Sequence, residues 1–300
     1  MNRGSYPKLA FVGSGGATKG IAHLGALKAL EELGLKPDIY VGTSAGAIVS
    51  AFAAQNFCAD QMVDWMRLPW RRQHSKGALK SRYFIGWPTL EQLKNPGYLS
   101  SGLLSIDRLE QFLARRLPIN DFRRLDKTLI VTAADVDQSK RVVFGRGYRD
   151  DVPISQALAA SSCVPVLFRP YKIGDRFYMD GEVVRTLSVD LAVEAGADVV
   201  VISNVYRPYL TRPNESSVAL QGLGAVARQS LNVVLSEKEK RGLDLIHQQY
   251  PHVRILNVSA DLGKFPFLSR RNGKTLLGRG YREALRILSA AASDGVFGRR

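Results

Sequence analysis

Hydrophobic and polar positions alternate between two periods along the N-terminal part of this 300-residue chain. A short apolar run at residues 8–12 ends in glycines and predicts a buried strand. Apolar residues then recur at every third position over residues 20–33, which indicates an amphipathic helix closed by Gly34. Residues 37–41 predict a second strand, and residues 45–54 predict a second helix. Two strand–helix units in succession imply parallel strands joined by right-handed crossovers.

The same rhythm of strands and helices returns further along the chain and predicts the rest of the sheet. The predicted elements are a helix at 105–117, strands at 129–134 and 141–144, a helix at 154–160, a hairpin at 172–179 and a strand at 199–203. From about residue 208 the pattern is helical and basic, apart from one strand at 253–258. The sequence therefore predicts an α/β fold of three layers, in which a central, mostly parallel sheet carries helices on both faces.

Residues 59–102 interrupt this rhythm. They contain all three tryptophans, much of the basic charge and several Pro and Gly positions. This composition predicts an inserted flap rather than a part of the central sheet. We therefore expect a single domain over residues 1–300, with its core at about 6–206, the basic, Trp-rich flap at about 59–102, and a helical, basic C-terminal region at about 208–300.

A candidate nucleophile lies between the second predicted strand and the second predicted helix. Residues 42–46 read Gly-Thr-Ser-Ala-Gly and match the pattern G-x-S-x-G in the strand–turn–helix context that this pattern requires. A sharp turn would project the hydroxyl of Ser44 outward, and Gly42 and Gly46 would let the backbone fold tightly around it. The helix N-terminus, beginning at Ala45, would stabilise negative charge that develops beside the serine. An ordinary glycine-rich turn is the alternative.

The glycine-rich loop at residues 13–20 joins the first strand to the first helix. A phosphate-binding P-loop would end in Gly-Lys-Ser/Thr, whereas this loop ends in Thr-Lys-Gly. A dinucleotide fingerprint would need a third glycine where Thr18 stands and an acidic residue where Gly42 stands. The loop is better interpreted as an oxyanion hole, because adjacent parallel strands bring both loops to the same sheet edge. The proposed donors are the N–H groups of Gly15, Gly16, Ala17 and Ala45.

These motifs together resemble those of the patatin-like phospholipases. The glycine loop shares the family's Gly-Gly-x-x-Lys/Arg-Gly pattern through Lys19 and Gly20, and G-x-S-x-G follows about twenty-five residues later. The family has a third glycine where this chain has Ala17. An Asp-Gly-Gly/Ala motif is matched at two of three positions by Asp180 and Gly181, with Glu182 at the third. Residues 160–170 also resemble the segment that precedes this motif, so the resemblance covers about residues 8–203.

The resemblance implies that Asp180 is the base for Ser44, in a serine–aspartate dyad that needs no cofactor and no metal ion. A carboxylate is a weak base, with a free pKa of about 3.9, so the mechanism requires that Asp180 be partly desolvated. A histidine triad remains the alternative, because the chain holds four histidines. These are His23, which we expect to be a packing residue, His74 in the flap, and His247 and His252 near the end of a C-terminal helix.

Charge is the unusual bulk property of this chain. The net charge is +15 and the sequence pI is near 10, which favours anionic partners. The flap mixes tryptophan with arginine, as is typical of a bilayer interface, although a packed flap with a solvated basic face would have the same composition. We therefore expect an anionic membrane surface as a partner. No zinc spacing or helix-turn-helix pattern is present, so no nucleic acid is expected.

The remaining expectations concern location and assembly. Two cysteines give no disulfide framework, and no secretory segment is evident at the N-terminus. Residues 39–59 carry no charge but are too polar for a membrane span. These features predict a cytoplasmic protein with peripheral attachment to membranes, and they do not address the oligomeric state.

The function that the resemblance implies is hydrolysis of phospholipids or other acyl-ester lipids, of the phospholipase A or lysophospholipase type, through an acyl-serine intermediate. One alternative is an esterase or acyltransferase that acts on soluble substrates. The other is a basic protein of little or no catalytic activity that docks on membranes or nucleic acid.

Overall fold

A computed structural model describes residues 7–66, 96–205, 216–263 and 272–298. Its centre is an eight-stranded sheet. The strands of this sheet are β1 (Leu9–Gly13), β2 (Ile39–Gly42), β4 (Thr128–Asp135), β5 (Lys140–Gly145), β7 (Tyr171–Ile173), β8 (Arg176–Asp180), β9 (Val199–Asn204) and β10 (Arg254–Ser259). Two further strands, β3 (Gly102–Leu104) and β6 (Val166–Phe168), form a separate parallel pair.

The strand order of the sheet is β10-β9-β1-β2-β4-β8-β7, and β5 also pairs with β4. The five strands from β10 to β4 are parallel, whereas β5 and β8 run antiparallel to β4. The predicted hairpin is confirmed: β7 and β8 pair antiparallel and turn at Gly174, which has a φ of 65°. The sheet is therefore mostly parallel, as the sequence predicts.

Helices cover both faces of the sheet. They are α1 (Ile21–Glu32), α2 (Ala45–Ala53), α3 (Ala59–Met66), α4 (Pro96–Ser100), α5 (Asp107–Ala114), α6 (Ile154–Ser161), α7 (Val189–Glu194), α8 (Leu223–Gln249) and α9 (Gly273–Ser293). Side chains of β1 alternate between two apolar clusters, with Phe11 on the side of α1, α2, α6 and α9 and Val12 on the side of α7. The predicted three-layer α/β arrangement is confirmed.

The last helix belongs to the core of the domain. Helix α9 crosses α1 so closely that a Cβ atom on Gly25 would lie 2.2 Å from the carbonyl oxygen of Leu277. On the other helix, a Cβ atom on Gly280 would lie 2.3 Å from the carbonyl oxygen of Ala22. Only glycine permits this approach of the two backbones. The hydrophobic core thus extends well beyond residue 206, where the sequence pattern placed its end.

The predicted flap begins later than its composition indicated. Residues 59–66 form α3, which buries Met62 and Val63 in the main apolar cluster. Trp65 packs against Phe52 and Phe112, with ring centroids 4.5 and 5.1 Å away. These residues belong to the core because their apolar positions face α1 and α5. Residues 67–95 of the predicted flap, with Trp70 and Trp87, lie outside the described residues.

Candidate active site

The sheet register brings the ends of two strands together. Gly42 at the end of β2 pairs with Val131 of β4, and Asp180 at the end of β8 pairs with Ala133, two residues further along β4. Strand β5 pairs with these same positions of β4, so it occupies the opposite edge. Strands β2 and β8 therefore share one edge of β4, and their carboxyl ends meet. This register is why Ser44 and Asp180 lie together although they are far apart in sequence.

Ser44 occupies a strained turn between β2 and α2. Its backbone angles, a φ of 55° and a ψ of −122°, lie outside the regions that residues other than glycine ordinarily adopt. The two flanking glycines make the turn possible: a Cβ atom on Gly42 would lie 2.5 Å from the backbone nitrogen of Ala47. A Cβ atom on Gly46 would lie 2.3 Å from the carbonyl oxygen of Gly13. The residues that define the motif are thus those that the close backbone contacts require.

Two neighbours hold Ser44 in place. The hydroxyl of Ser161, at the end of α6, accepts a hydrogen bond from the Ser44 N–H at 2.7 Å. The Ser44 hydroxyl in turn lies near enough to the carboxylate of Asp180 to lower the pKa of that carboxylate. Ser44 and Asp180 are 4% and 5% exposed, so this pair is shielded from bulk water. The contact of Ser161 with Ser44 was not predicted, because the resemblance of residues 160–170 to the family's segment assigns no role to this serine.

Asp180 is fixed by its backbone and by its own turn. Its N–H donates to the carbonyl oxygen of Cys163 at 2.9 Å, and its Oδ1 accepts the N–H of Glu182 at 3.0 Å. Gly181 fits closely beneath β4, because a Cβ atom there would lie 2.6 Å from the carbonyl oxygen of Thr132. Burial raises the pKa of Asp180 to about 6, while the hydrogen bonds from Glu182 and Ser44 lower it. Asp180 therefore has the desolvated environment that the sequence argument required of a base.

The glycine loop packs against the turn that carries Ser44. A Cβ atom on Gly20 would lie 2.4 Å from the Cβ atom of Ala45. Within the part of the chain that the structure describes, no acceptor is found for the N–H groups of Gly16, Ala17 and Ala45. Ala17 has a φ of 46°, which is the left-handed conformation that glycine adopts most easily. The patatin-like phospholipases that this loop resembles have a glycine at this position.

Lys19 and Gly20 end the short 3-10 turn Ala17–Gly20. Lys19 is partly buried, and this burial lowers the pKa of its ammonium group, while the carboxylate of Asp261 acts in the opposite direction. Its backbone N–H donates to the carbonyl oxygen of Gly16 at 2.9 Å. Lys19 thus closes the glycine loop through its backbone.

Gly15 requires a correction. We predicted its N–H as an oxyanion donor, but in the structure this group donates to Oε1 of Glu182 at 2.6 Å. Glu182 is 7% exposed, and burial together with the nearby charge of Asp180 raises the pKa of its side chain to about 8. The contact with Gly15 was not foreseen. The signal for this contact in the sequence was Glu182 itself, a charged residue at the third position of the Asp-Gly-Gly/Ala motif, where the family has a small residue.

The described histidines have other partners. His23 is fully buried, with its Nδ1 2.7 Å from the Ser203 hydroxyl and its Nε2 2.9 Å from the Ser14 carbonyl oxygen. Burial lowers the pKa of His23 to about 4, so its ring is neutral at pH 7. His247 and His252 are exposed, and Nδ1 of His247 bonds to the Leu243 carbonyl oxygen. His74 lies outside the described residues.

Nowhere in the described ranges do three or more His, Cys, Asp or Glu side chains gather closely enough to hold a metal ion. Among the described helices, none combines the length and apolar character needed to cross a bilayer. What the site does bring together is a hydroxyl, a buried carboxylate beside it, and a cluster of backbone N–H groups at a helix N-terminus. This is the set of groups that acyl transfer through serine requires.

Comparison with known proteins agrees with this chemistry. A family model described as patatin-like phospholipase matches residues 11–193. YqhO, an uncharacterized protein of Bacillus subtilis, is 30% identical over an alignment of 197 residues, and the match covers 59% of this chain and 64% of that protein. An uncharacterized NTE family protein of Mycobacterium tuberculosis is 26% identical over 198 residues, 66% of this chain and 49% of the relative.

Probable lipid hydrolase 463L of Invertebrate iridescent virus 6 is 25% identical over an alignment of 191 residues, and the match covers 60% of this chain and 62% of that protein. The matches thus span less than two thirds of the length of each of these relatives. Among solved structures, VipD from Legionella pneumophila is similar with a TM-score of 0.51 and 15% identity. That likeness covers 95% of this chain and 67% of VipD, and it concerns the fold.

Proposed function

The chain belongs to the patatin-like phospholipase family, and we propose that it is a lipid acyl hydrolase in which Ser44 is the nucleophile and Asp180 the base. The observation that carries the proposal is the register of β2 and β8 on one edge of β4, which brings the Ser44 hydroxyl near enough to the buried Asp180 carboxylate to lower its pKa. Its support is threefold: the strained turn at Ser44, the burial of both side chains, and the helix N-terminus of α2.

In this mechanism Asp180 accepts the hydroxyl proton while Oγ of Ser44 attacks the ester carbonyl carbon. The negative charge on the carbonyl oxygen is stabilised by the N–H groups of Gly16, Ala17 and Ala45. The alcohol then leaves with the proton from Asp180, and an acyl ester remains on Ser44. A water molecule, deprotonated by Asp180, attacks this ester and releases the fatty acid, and the proton returns to Ser44.

Asp180 can serve both steps because its environment matches the task. A pKa near 6 leaves the carboxylate ionised at pH 7, yet makes it a better proton acceptor than an exposed aspartate. The oxyanion donors would supply the larger share of the rate enhancement, since loss of one such donor typically costs about 10²–10³ in turnover.

We further propose that the substrate is reached at an anionic membrane surface. The net charge of +15 attracts such a surface. Apolar side chains at the start of α8 and just before it are exposed: Leu220 is 81% exposed and Leu223 86%. Apolar residues of this kind insert at the headgroup boundary, where basic residues meet acidic lipid. Binding to anionic vesicles should therefore weaken as salt rises, because screening acts over about 10 Å at 0.1 M salt.

Vesicle sedimentation at increasing salt tests the membrane proposal. Equal binding to neutral and anionic vesicles at every salt concentration would contradict it, and tight, salt-sensitive binding to DNA without lipid preference would favour a nucleic-acid-binding protein. The catalytic proposal is tested with a fluorophosphonate probe, which forms a covalent adduct with an activated serine. Mass spectrometry should locate the adduct on Ser44, and the Ser44→Ala variant should remain unlabelled. A folded wild-type protein that takes up no probe would contradict the proposal.

A further inference from the structure

Glu182 connects the two halves of the site. Its side chain lies directly on the glycine loop, where a Cβ atom on Gly15 would be 2.7 Å from its Cγ atom. Its Oε1 accepts the Gly15 N–H at 2.6 Å, and its own N–H donates to Oδ1 of Asp180 at 3.0 Å. One residue thus contacts the proposed base through its backbone and the proposed oxyanion loop through its side chain.

The charges around Glu182 in the described residues favour its neutral form. Asp180 on the same turn, and Glu239 on α8, both act against a second negative charge. Lys238 acts in the opposite direction, but its ammonium group donates to the Val183 carbonyl oxygen at 2.7 Å rather than to the Glu182 carboxyl group. Glu239 is engaged with the Asn204 amide. Among the residues that the structure describes, no cation forms an ion pair with Glu182.

We propose that Glu182 is a positioning residue whose effect on the reaction depends on its charge. As a neutral acid it holds the glycine loop beside Ser44, and as a carboxylate it repels the negative charge of the oxyanion. The proposal rests on the proposed hydrolysis through Ser44. A neutral carboxyl group accepts the Gly15 N–H through its carbonyl oxygen without adding charge. An ionised carboxyl group keeps that contact but places negative charge against the loop at which the transition state accumulates negative charge.

The two carboxyl groups of this turn would then have different tasks at the same pH. Asp180 must be ionised to accept a proton, so activity is lost as pH falls through about 6. Glu182 must be neutral, so activity is lost as pH rises through about 8. Paired carboxyl groups whose environments separate their pKa values are a recurrent arrangement in acid–base catalysis. The fall in activity at low pH and the fall at high pH both reflect the two interacting carboxyl groups. Substitution of one residue is therefore needed to assign each fall to a carboxyl group.

The test is the pH profile of kcat/KM for a p-nitrophenyl acyl ester, read at the isosbestic wavelength of nitrophenol, with the Ser44→Ala rate subtracted at each pH. The wild-type profile should be bell-shaped. Glu182→Gln keeps the shape and the acceptor oxygen but cannot ionise. It should keep the acid limb and lose the alkaline one, so that the variant-to-wild-type ratio rises at least about tenfold from pH 7 to pH 9.5.

Glu31→Gln is the matched control. Oε1 of Glu31 also accepts a backbone N–H, that of Ala59 at 2.8 Å, and burial also raises the pKa of Glu31. It lies at the far end of α1, about 16 Å along the helix from Gly20 at 1.5 Å per residue. Its substitution should leave both limbs unchanged. Glu182→Ala serves if the Gln variant is unstable, because it is equally uncharged and should also lack the alkaline limb.

An alkaline limb that persists in both folded Glu182 variants would overturn the inference, as would its loss in Glu31→Gln. Failure of the proposed function has a different signature. Ester hydrolysis by Ser44→Ala at the wild-type rate would refute the nucleophile, and the inference about Glu182 would fall with it.

Discussion

The turn at Ser44 and the turn at Asp180 perform the same task by different means. Each places one functional side chain at the carboxyl end of a strand that pairs with β4. At Ser44 the constraints are backbone contacts. A Cβ atom built on either flanking glycine would lie within 2.5 Å of a backbone atom of a neighbouring residue. At Asp180 the third motif position is a buried glutamate, whose side chain reaches across to the glycine loop.

The difference shows which parts of a motif are steric and which are electrostatic. A position that faces backbone atoms admits one residue type, whatever the chemistry. A motif position with room between it and a neighbouring loop admits a larger residue, as Glu182 shows. The site then acquires the charge of that residue. Substitutions of the glycines that flank Ser44 should therefore affect folding and rate together, whereas substitutions at Glu182 should alter the dependence of rate on pH.

The largest effect is expected from Ser44→Ala. Removing the nucleophile should reduce hydrolysis of p-nitrophenyl acyl esters to a few per cent of wild type or less, because the proposed mechanism forms the acyl intermediate on Ser44. The fold should be retained, since alanine is smaller than serine, and circular dichroism checks this. Substantial residual activity in purified variant protein would remove Ser44 from the mechanism.

Asp180→Asn should have the next largest effect. Asparagine keeps the shape of the side chain but cannot accept the serine proton, so kcat should fall by about 10²-fold or more. The matched controls are His247→Ala and His252→Ala, which alter exposed rings and should each leave kcat within a few-fold. A large loss in either histidine variant, with unchanged circular dichroism, would indicate a Ser–His–Asp mechanism instead.

Gly46→Ala tests the steric half of the comparison. The added methyl group would meet the Gly13 carbonyl oxygen at 2.3 Å, so the two loops must separate. We expect a loss of about 1–3 kcal/mol in the free energy of unfolding, together with reduced activity. Gly242→Ala is the control, because open space surrounds that position within α8, and it should stabilise by up to about 1 kcal/mol. Equal thermal midpoints for the two variants would contradict this account.

The smallest effect is expected at Ser161. In Ser161→Ala the N–H of Ser44 loses its acceptor at 2.7 Å, which should lower kcat several-fold by loosening the strained turn. Ser162→Ala provides a neighbouring control, since its buried hydroxyl has no hydrogen-bond partner among the described residues. If the two variants have the same kcat, the Ser161 contact does not position the nucleophile.

The elements of the sheet were predicted from local patterns, namely strand and helix periods, glycines at a tight turn, and a hairpin that ends in Asp-Gly. The pairing of Asp180 with Ser44 was implied by the resemblance to the patatin-like phospholipases. The turn at Ser44 was predicted from the five residues 42–46 and their place between a strand and a helix.

Contacts between distant positions could not be inferred in this way. Glu182 meets Gly15 across 167 residues, and Ser161 meets Ser44 across 117. Neither contact leaves a period in the sequence, because each depends on how separate elements pack. The same reason explains α3, whose apolar face is plain only once α1 and α5 are in place, so that composition alone assigned it to a flap.

The close crossing of α1 and α9 has a consequence for the order of folding. Helix α1 follows directly on the glycine loop, yet its partner lies near the other end of the chain; Tyr281 of α9 bonds to Glu32 of α1 across 249 residues. At about 5–20 residues per second, ribosomal synthesis separates the two helices by on the order of ten to fifty seconds. During that interval the face of α1 around Gly25 remains uncovered. The loop that α1 anchors would thus reach its final position only after most of the chain has been made.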